Sequence, residues 1–387
     1  MKHRMKLSLA QVAITSAIGL TAASTATAIE PDASAPALNI LFIGNSYTGT
    51  ENVPNRVKQL ATSAGWATPY IESVSPGSAQ LWEHANGTAS NAPTRILNGP
   101  GGTGLKDWDI VVLQEQSQLP ANPTDKTWFY SGALSLYNQI QQYNPNAQVV
   151  LYETWARHSS YNFAGASYYI GDDAQDMQDR LSESYNYVAD TYIPTYSNAA
   201  DKTDVRVAEV GEAWRASYLD DPNFLLHQTD KSHPTSEGVY LSALMLYSEI
   251  YFSGVNGLSN AGLTNVSLEE AARLQSIASL IIPDAYTRKA GDANGDSKVN
   301  GTDLAILAER FGKTVPRMST GDFNGDGLVN GIDLALLSQN FGYSASSPEA
   351  IIGIDYDEAY NMMFAVPEPA SAITLAIGGL IISRRRR

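Results

Sequence analysis

A serine hydroxyl becomes a useful nucleophile when an imidazole removes its proton, and the imidazole works best when a carboxylate fixes its tautomer. This chain offers all three groups in two short segments, Gly44-Asn45-Ser46 and Asp230-Lys231-Ser232-His233. Ser46 follows an apolar run, Leu38 to Ile43, where a strand ends and a helix can begin. A serine on such a turn exposes its hydroxyl beside backbone N–H groups that can hold an anion. Asp230 stands three residues before His233, a spacing that suits a turn presenting both side chains to one cleft. Together the three predict acyl transfer through Ser46, with His233 as base and Asp230 as its orienting partner. Plainer roles stand beside this one: Ser46 as a helix N-cap, Asp230 as a turn residue, His233 as a surface histidine before Pro234. His84 and His158 are competing bases, or else loop or helix histidines, and Trp82, Trp155 and Trp214 are a sugar-stacking wall or core packing.

A second cluster lies nearer the C-terminus. GDANGDSKVNGTDLAILAERFG, from Gly291, is followed 30 residues later by GDFNGDGLVNGIDLALLSQNFG, a tandem repeat. Oxygen-bearing side chains recur at loop positions 1, 3, 5, 9 and 12: Asp292, Asn294, Asp296, Asn300 and Asp303, then Asp322, Asn324, Asp326, Asn330 and Asp333. With the carbonyls of Lys298 and Leu328 at position 7, each copy could wrap one calcium ion, which takes six to eight oxygens. Bare carboxylates so close together repel, so bound calcium would stabilise the fold. Aspartate-rich turns without metal are the alternative.

These groups need elements to position them. Short Val/Ile/Leu-rich runs at Asn39–Ile43, Tyr70–Ser75, Asp109–Leu113, Gln148–Tyr152 and Val205–Val210 read as strands. Helical spacing covers Val53–Ala64, Ser131–Tyr143, Asp173–Tyr192, Ser236–Phe252 and Ser267–Ile281, while Gly87–Leu105 reads as a loop bordering the site. The alternation predicts an α/β fold: a three-layer αβα, flavodoxin-like sandwich around a parallel five-stranded sheet, with ligands at the carboxyl ends of the strands. Ser46 and Gln114 both fall at such ends. Composition changes at Pro283, so this domain spans about 38–285, a small all-α calcium module spans 288–345, and 346–365 reads as a linker.

The chain of 387 residues has 25 Lys and Arg against 40 Asp and Glu, a balance that argues against nucleic acid as a partner. It contains no cysteine, which excludes disulfides and thiolate metal sites. Residues 1–28 carry Lys2, Arg4 and Lys6, then an apolar stretch and Ala26-Thr27-Ala28, the pattern of a cleaved signal peptide; an uncleaved anchor is the alternative. Residues 29–37 are a Pro/Ala/Ser linker. The far end, 366–387, reads Val366-Pro367-Glu368-Pro369, an apolar run from Ala370 to Ile382, and four arginines. That run is shorter than the ~20 residues of a comfortable membrane span.

Three resemblances add to this. Residues 38–285 resemble the SGNH, or GDSL-like, hydrolases through LFIGNSYT, SVSPGSAQLWEH, VVLQEQS and DKSHP. The likeness implies Ser46 as nucleophile, an oxyanion hole from the N–H groups of Ser46 and Gly77, and Asp230 and His233 as the remaining pair. Family members more often have Asp at position 45, and usually end the third strand in Gly-x-Asn-Asp with the Asn donating to the oxyanion; here Gln114 or Gln116 supplies the carboxamide. The chain is similar to a divergent branch with GNS and Gln in these places. The repeats resemble a type I dockerin, which implies two structural calcium ions and docking to a cohesin-type scaffold through Gly301-Thr302 and Gly331-Ile332. These are not that family's usual hydroxyl pairs, and Ser297 departs from Gly327 of the second copy. The tail resembles the PEP-CTERM sorting signal of Gram-negative bacteria, which implies membrane contact before processing, an exosortase-type processing enzyme, and a place in the cell envelope or extracellular matrix; a plain membrane helix is the alternative.

The combined expectation is an exported carboxylic-ester hydrolase acting through an acyl-serine intermediate on carbohydrate O-acetyl groups or another small ester, with no cofactor in catalysis. A non-catalytic matrix or glycan-binding protein with a degenerate hydrolase fold is the rival. A lipase comes third, since no apolar lid is evident.

Overall fold

The computed structural model describes residues 31, 33, 36–104, 108–198, 205–282, 290–293, 298–313, 321–323, 328–344 and 356–364. The expectations for the two ends, and for loop residues Asn294, Asp296, Asn324 and Asp326, lie outside the described residues.

The expected strands form one sheet: β1 (Asn39–Ile43), β2 (Tyr70–Val74), β3 (Ile110–Leu113), β4 (Gln148–Tyr152) and β5 (Arg206–Ala208). All pairs are parallel, in the order β2-β1-β3-β4-β5. Ile43 pairs with Val74 on one side and Leu113 on the other, so three carboxyl ends lie level. The strand order reverses direction between β1 and β3, where open α/β sheets form their ligand crevice. Ser46 and Gln114 leave the sheet there.

The crossovers carry α1 (Ser46–Gly49), α2 (Val53–Ala64), α3 (Leu81–Ala85), α4 (Ala92–Asn98), α5 (Lys126–Tyr143), α6 (Ala174–Tyr187), α7 (Ile193–Tyr196), α8 (Val210–Asp220), α9 (Ser236–Tyr251) and α10 (Leu268–Ile281). The period-two alternation of the strands splits the core in two. Ile40, Phe42, Ile110, Val112 and Val150 pack with α2, α8, α9 and α10, whereas Leu41, Ile43, Val111, Leu113 and Leu151 pack with α3, α4 and α5. This is the expected αβα sandwich. Its closing helices are capped from the sequence: Thr235 Oγ1 accepts the Gly238 N–H, and Ser267 and Glu270 form a capping box.

Several elements differ from expectation: β5 stops at Ala208 rather than Val210, α3 and α8 fall outside the expected helices, and three other segments change. The segment Gly87–Leu105 is not all loop, because α4 forms within it, burying Ala92 and Ile96 one turn apart. Helix α5 begins at Lys126 rather than Ser131, since Phe129 already packs in the core. The expected helix Asp173–Tyr192 ends as α6 at Tyr187, and a π-turn at Val188–Tyr192 leads into α7.

In the repeats, α11 (Gly301–Arg310) and α12 (Gly331–Asn340) follow the two loops. Each loop pairs with the end of the other repeat: Val299 N–H donates to Tyr343 O, and Val329 N–H to Lys313 O. A third helix, α13 (Tyr356–Phe364), occupies part of the expected linker and buries Ala359 in the core made by Val299, Leu307, Val329 and Leu337. Ala359 is the one buried side chain among those described in this helix, which gives a weak periodic signal. Among the described residues no helix is long and apolar enough to cross a membrane.

Candidate active site

The nucleophile turn is held from below by buried polar groups. Asn45, not Ser46, caps α1: its Oδ1 accepts the Tyr47 N–H at 3.1 Å while its Nδ2 donates to Ala79 O at 3.0 Å. An aspartate could cap but could not donate to Ala79, so the carboxamide at 45 ties the turn to the loop after β2. Gly44 is required by space, because a Cβ there would lie 2.5 Å from Thr48 Oγ1 and 2.6 Å from Gln114 Oε1. His84 is fully buried between Gly44 O (2.8 Å from Nε2) and Ser90 Oγ (2.6 Å from Nδ1). Since a carbonyl only accepts, Nε2 carries the proton. Burial holds the ring's pKa below its ordinary value despite the Gly44 carbonyl, so His84 is a brace for the turn and not a competing base.

Ser46 Oγ lies 2.9 Å from His233 Nε2, across 187 residues of sequence. His233 Nδ1 is 2.5 Å from Asp230 Oδ2. The other carboxylate oxygen, Oδ1, accepts the backbone N–H groups of Ser232 (3.0 Å) and His233 (2.9 Å), which curls the turn so that both side chains face the same way. Lys231 at its apex has φ +62°, a conformation that costs energy in a residue with a Cβ. Burial raises the Asp230 pKa, but the hydrogen bonds from the His233 ring and from both N–H groups outweigh it and leave the carboxyl below its usual range. The three residues expected to act together are therefore in contact, in the order the chemistry needs. His158 is not part of this relay; its Nδ1 meets Ser160 Oγ at 2.8 Å.

The donors expected for an oxyanion separate on inspection. The N–H groups of Ser46 and Gly77 bond to no protein acceptor among the described residues, and Gly77 is exposed just ahead of Ala79, which Asn45 anchors. Gln114 is fully buried; its Oε1 accepts the Asn45 N–H (3.0 Å) and Thr48 Oγ1 (2.8 Å), and its Nε2 donates to Glu115 O. Its amide is thus occupied in bracing the nucleophile turn, contrary to the expectation of an oxyanion donor. Gln116 is half-buried, and its Oε1 accepts the N–H groups of Gln118 (2.9 Å) and Leu119 (3.1 Å). Its NH2 makes no hydrogen bond among the described residues.

Sequence reasoning missed Arg157. This guanidinium, 8% exposed, donates through Nη1 to Tyr47 OH and Ser232 Oγ and through Nη2 to Ser117 Oγ at 3.0 Å. Tyr47 follows the nucleophile, Ser232 precedes the base and Ser117 follows β3, so one side chain pins three site segments. Trp155 reinforces the same joint: its Nε1 donates to Ser232 O at 2.9 Å, and it stacks on Tyr47 and on Trp214 at centroid distances of 4.3 and 4.0 Å. Both tryptophans are buried, which makes them packing rather than a sugar wall; Trp82 is half-buried against exposed Trp128, 5.5 Å away. The signal for Arg157 was its type, an arginine in a strand-end segment, but type alone names no partner.

Glu115, between the two glutamines, is completely buried and accepts the N–H groups of Leu81 (3.2 Å) and Gln116 (2.5 Å). Burial pushes its pKa up from 4.5 to about 8, against the opposing pull of these two N–H bonds. Because the folded value exceeds the unfolded one, the folded state keeps a proton that the unfolded chain releases, and stability falls as pH rises from about 4.5 to about 8. Glu115→Gln keeps an acceptor and removes the titration. Its Tm is expected to decline less than that of wild type between pH 5 and pH 8 in calorimetric scans; parallel declines would contradict this.

In the repeat module, Asp303 is fully buried; its Oδ1 accepts the Ala293 N–H and its Oδ2 the Asn300 N–H, each at 2.8 Å. Asp333 does the same with Phe323 (2.7 Å) and Asn330 (2.9 Å). Asn300 and Asn330 cap the helices by accepting from Thr302 and Ile332. Asp292 and Asp322 are buried at 1% and 2% exposure. Each loop thus brings two buried carboxylates to its start and end. Among the described residues no group of three or more acidic or histidine side chains converges.

No family model matches the chain, and no curated protein matches it. Among solved structures it is similar to a DUF4886 family protein from Bacteroides uniformis, at 15% identity and a TM-score of 0.48 over 64% of this chain and 96% of that one. It is similar to a carbohydrate esterase family 3 protein from Talaromyces cellulolyticus, at 15% identity and a TM-score of 0.36 over 55% of this chain and 96% of that one. A third is phospholipase A1 from Streptomyces albidoflavus, at 16% identity and a TM-score of 0.35 over 55% of this chain and all of that one.

Proposed function

We propose that residues 38–285 are a serine esterase of SGNH type that hydrolyses carboxylic esters through an acyl-serine intermediate. The observation that carries this is the unbroken line from Ser46 Oγ to His233 Nε2 (2.9 Å) and from His233 Nδ1 to Asp230 Oδ2 (2.5 Å). Asp230 holds the proton on Nδ1, so Nε2 is free to accept the one on Ser46. As Ser46 Oγ bonds to the acyl carbon, negative charge moves to the carbonyl oxygen, which the N–H groups of Ser46 and Gly77 and the amide of Gln116 receive. A side-chain donor of this kind contributes about 3–4 kcal/mol. His233 then gives its proton to the departing alcohol, and water, activated by the same imidazole, releases the carboxylic acid. Gln114, His84 and Arg157 hold the parts in place.

The favoured substrate is an O-acetyl ester of a carbohydrate, supported by the dockerin-like repeat and by the half-buried Trp82 beside Trp128. The test is a series of p-nitrophenyl esters together with acetylated xylan. The acetate ester is expected to give the highest kcat/KM and the polysaccharide to release acetate; a preference for long acyl chains would move the protein to the lipase reading.

The repeats fit calcium: each loop carries two buried carboxylates, at its first and twelfth positions, and a charge repulsion that a divalent cation would relieve. Asp292, Asn294, Asp296, Lys298 O, Asn300 and Asp303 would hold one ion, and Asp322, Asn324, Asp326, Leu328 O, Asn330 and Asp333 the other. Calcium chelation is expected to lower the unfolding temperature of this module by several degrees or more in calorimetric scans of the full chain, and an unchanged scan would remove calcium from the account. Thr302 and Ile332 are exposed at equivalent positions at the starts of α11 and α12, which supports a cohesin-type scaffold as partner. The signal-peptide and PEP-CTERM patterns support export, exosortase-type processing and a final place in the cell envelope or matrix of a Gram-negative bacterium.

A further inference from the structure

A cavity of about 180 Å3 lies beside the carboxyl end of β4, walled by Trp155, Trp214, Tyr218, His227, Arg157 and Arg215. Its lining includes neither Ser46 nor His233, and Ser159 and Leu219, which also line it, are exposed and open it to solvent. The volume suits a small organic molecule, and the walls combine the rings of Trp155, Trp214 and Tyr218 with polar side chains.

The charges decide which molecule. Arg215 is already neutralised by Asp179 and Glu212. His227 has both ring nitrogens engaged, with Tyr218 OH (2.7 Å) and Ala156 O (3.0 Å), and burial keeps it uncharged down to about pH 3. Glu153 on the same strand end is fully buried, which raises its pKa well above the ordinary carboxylate value, and Asp230 is committed to His233. Arg157 differs from all of these. It is 8% exposed and bonds to three hydroxyls, yet it meets no carboxylate among the described residues. A guanidinium withdrawn from water without a counter-charge is costly. Once Nη1 has served Tyr47 and Ser232 and Nη2 has served Ser117, Nε–H and one Nη2 proton make no hydrogen bond among the described residues. The Nε–Nη2 edge of a guanidinium presents parallel N–H groups that match a carboxylate in bidentate fashion. A phosphate dianion would need a second unpaired cation, and none lines the cavity among the described residues.

We propose that this cavity is a binding site for a small organic monocarboxylate with a flat apolar body, its carboxylate on the remaining N–H edge of Arg157 and its body in the space bounded by Trp214, Tyr218 and Leu219. The cavity lining includes neither Ser46 nor His233, so the proposal stands whether or not Ser46 is catalytic.

Calorimetric titration of the full chain with benzoate tests it, with benzamide as the uncharged isostere and inorganic phosphate as the alternative anion. Benzoate is expected to bind one per chain in wild type and equally in Ser46→Ala, with benzamide and phosphate about tenfold weaker or more. Arg157→Gln removes the charge, and it should lose benzoate binding about tenfold or more. Ala174→Leu adds bulk to the cavity wall while keeping the guanidinium, and should weaken benzoate in the same direction even if the arginine variant fails to fold. No benzoate binding by wild type, equal binding of benzamide or phosphate, or binding lost in Ser46→Ala would each overturn the assignment.

Discussion

Ser46→Ala is expected to lower kcat for p-nitrophenyl acetate by about 10⁶-fold, the loss seen when a serine nucleophile is removed from such a relay, with an unfolding temperature within about a degree of wild type. The second half of that expectation follows from the local structure. Asn45 caps α1 and Ser46 occupies its first turn, so alanine there removes no cap. Among the described residues the hydroxyl's one side-chain partner is His233 Nε2, a contact that serves chemistry more than folding. Steady-state rates and thermal scans on the same preparation decide it. Substantial retained activity would remove Ser46 from the reaction, and lost activity accompanied by unfolding would leave the serine a structural residue.

Asp230→Asn should cost about 10⁴-fold in kcat with little change in fold. The carboxylate has two separable duties. Oδ1 accepts the N–H groups of Ser232 and His233 and shapes the turn, a task a carboxamide oxygen can perform. Oδ2 accepts from His233 Nδ1, and there an NH2 group would face the ring as a donor. Nδ1 would then have to accept, the proton would move to Nε2, and the imidazole could no longer take the proton from Ser46. The aspartate also opposes loss of the imidazolium as it forms. The measurement is kcat and kcat/KM for wild type and variant across pH; equal falls in both parameters mark a lost transition-state interaction. A variant within tenfold of wild type would mean that Asp230 only shapes the turn.

Much of the sheet was legible because burial on both faces demands unbroken apolar runs. Asn39–Ile43 and Gln148–Tyr152 were read to the residue. Edge and end positions were less so: β5, paired on one side, is shorter than the apolar stretch around it. The Ser46–His233 pair was legible because each half sits in a compact local pattern, a strand-end turn and an Asp-x-x-His turn. Roles that depend on direction were not. Gln114 and Gln116 look equivalent in sequence, yet one carboxamide turns inward to Asn45 and Thr48 while the other closes its own turn. Arg157 bonds to hydroxyls 110 and 75 residues away, a relation that no local pattern encodes. Helix α4 was hidden for the opposite reason: its seven residues are flanked by Gly, Asn and Ser, and two buried apolar side chains make little periodicity.

Reaction with a fluorophosphonate probe, followed by peptide mass spectrometry, tests the central claim most directly. An activated serine displaces fluoride and forms an Oγ–phosphorus bond, whereas an ordinary surface or capping serine does not react. One adduct per chain is predicted on the peptide containing Ser46, absent in Ser46→Ala and formed far more slowly in Asp230→Asn. No adduct on folded protein, or an adduct on a different serine, would contradict the account.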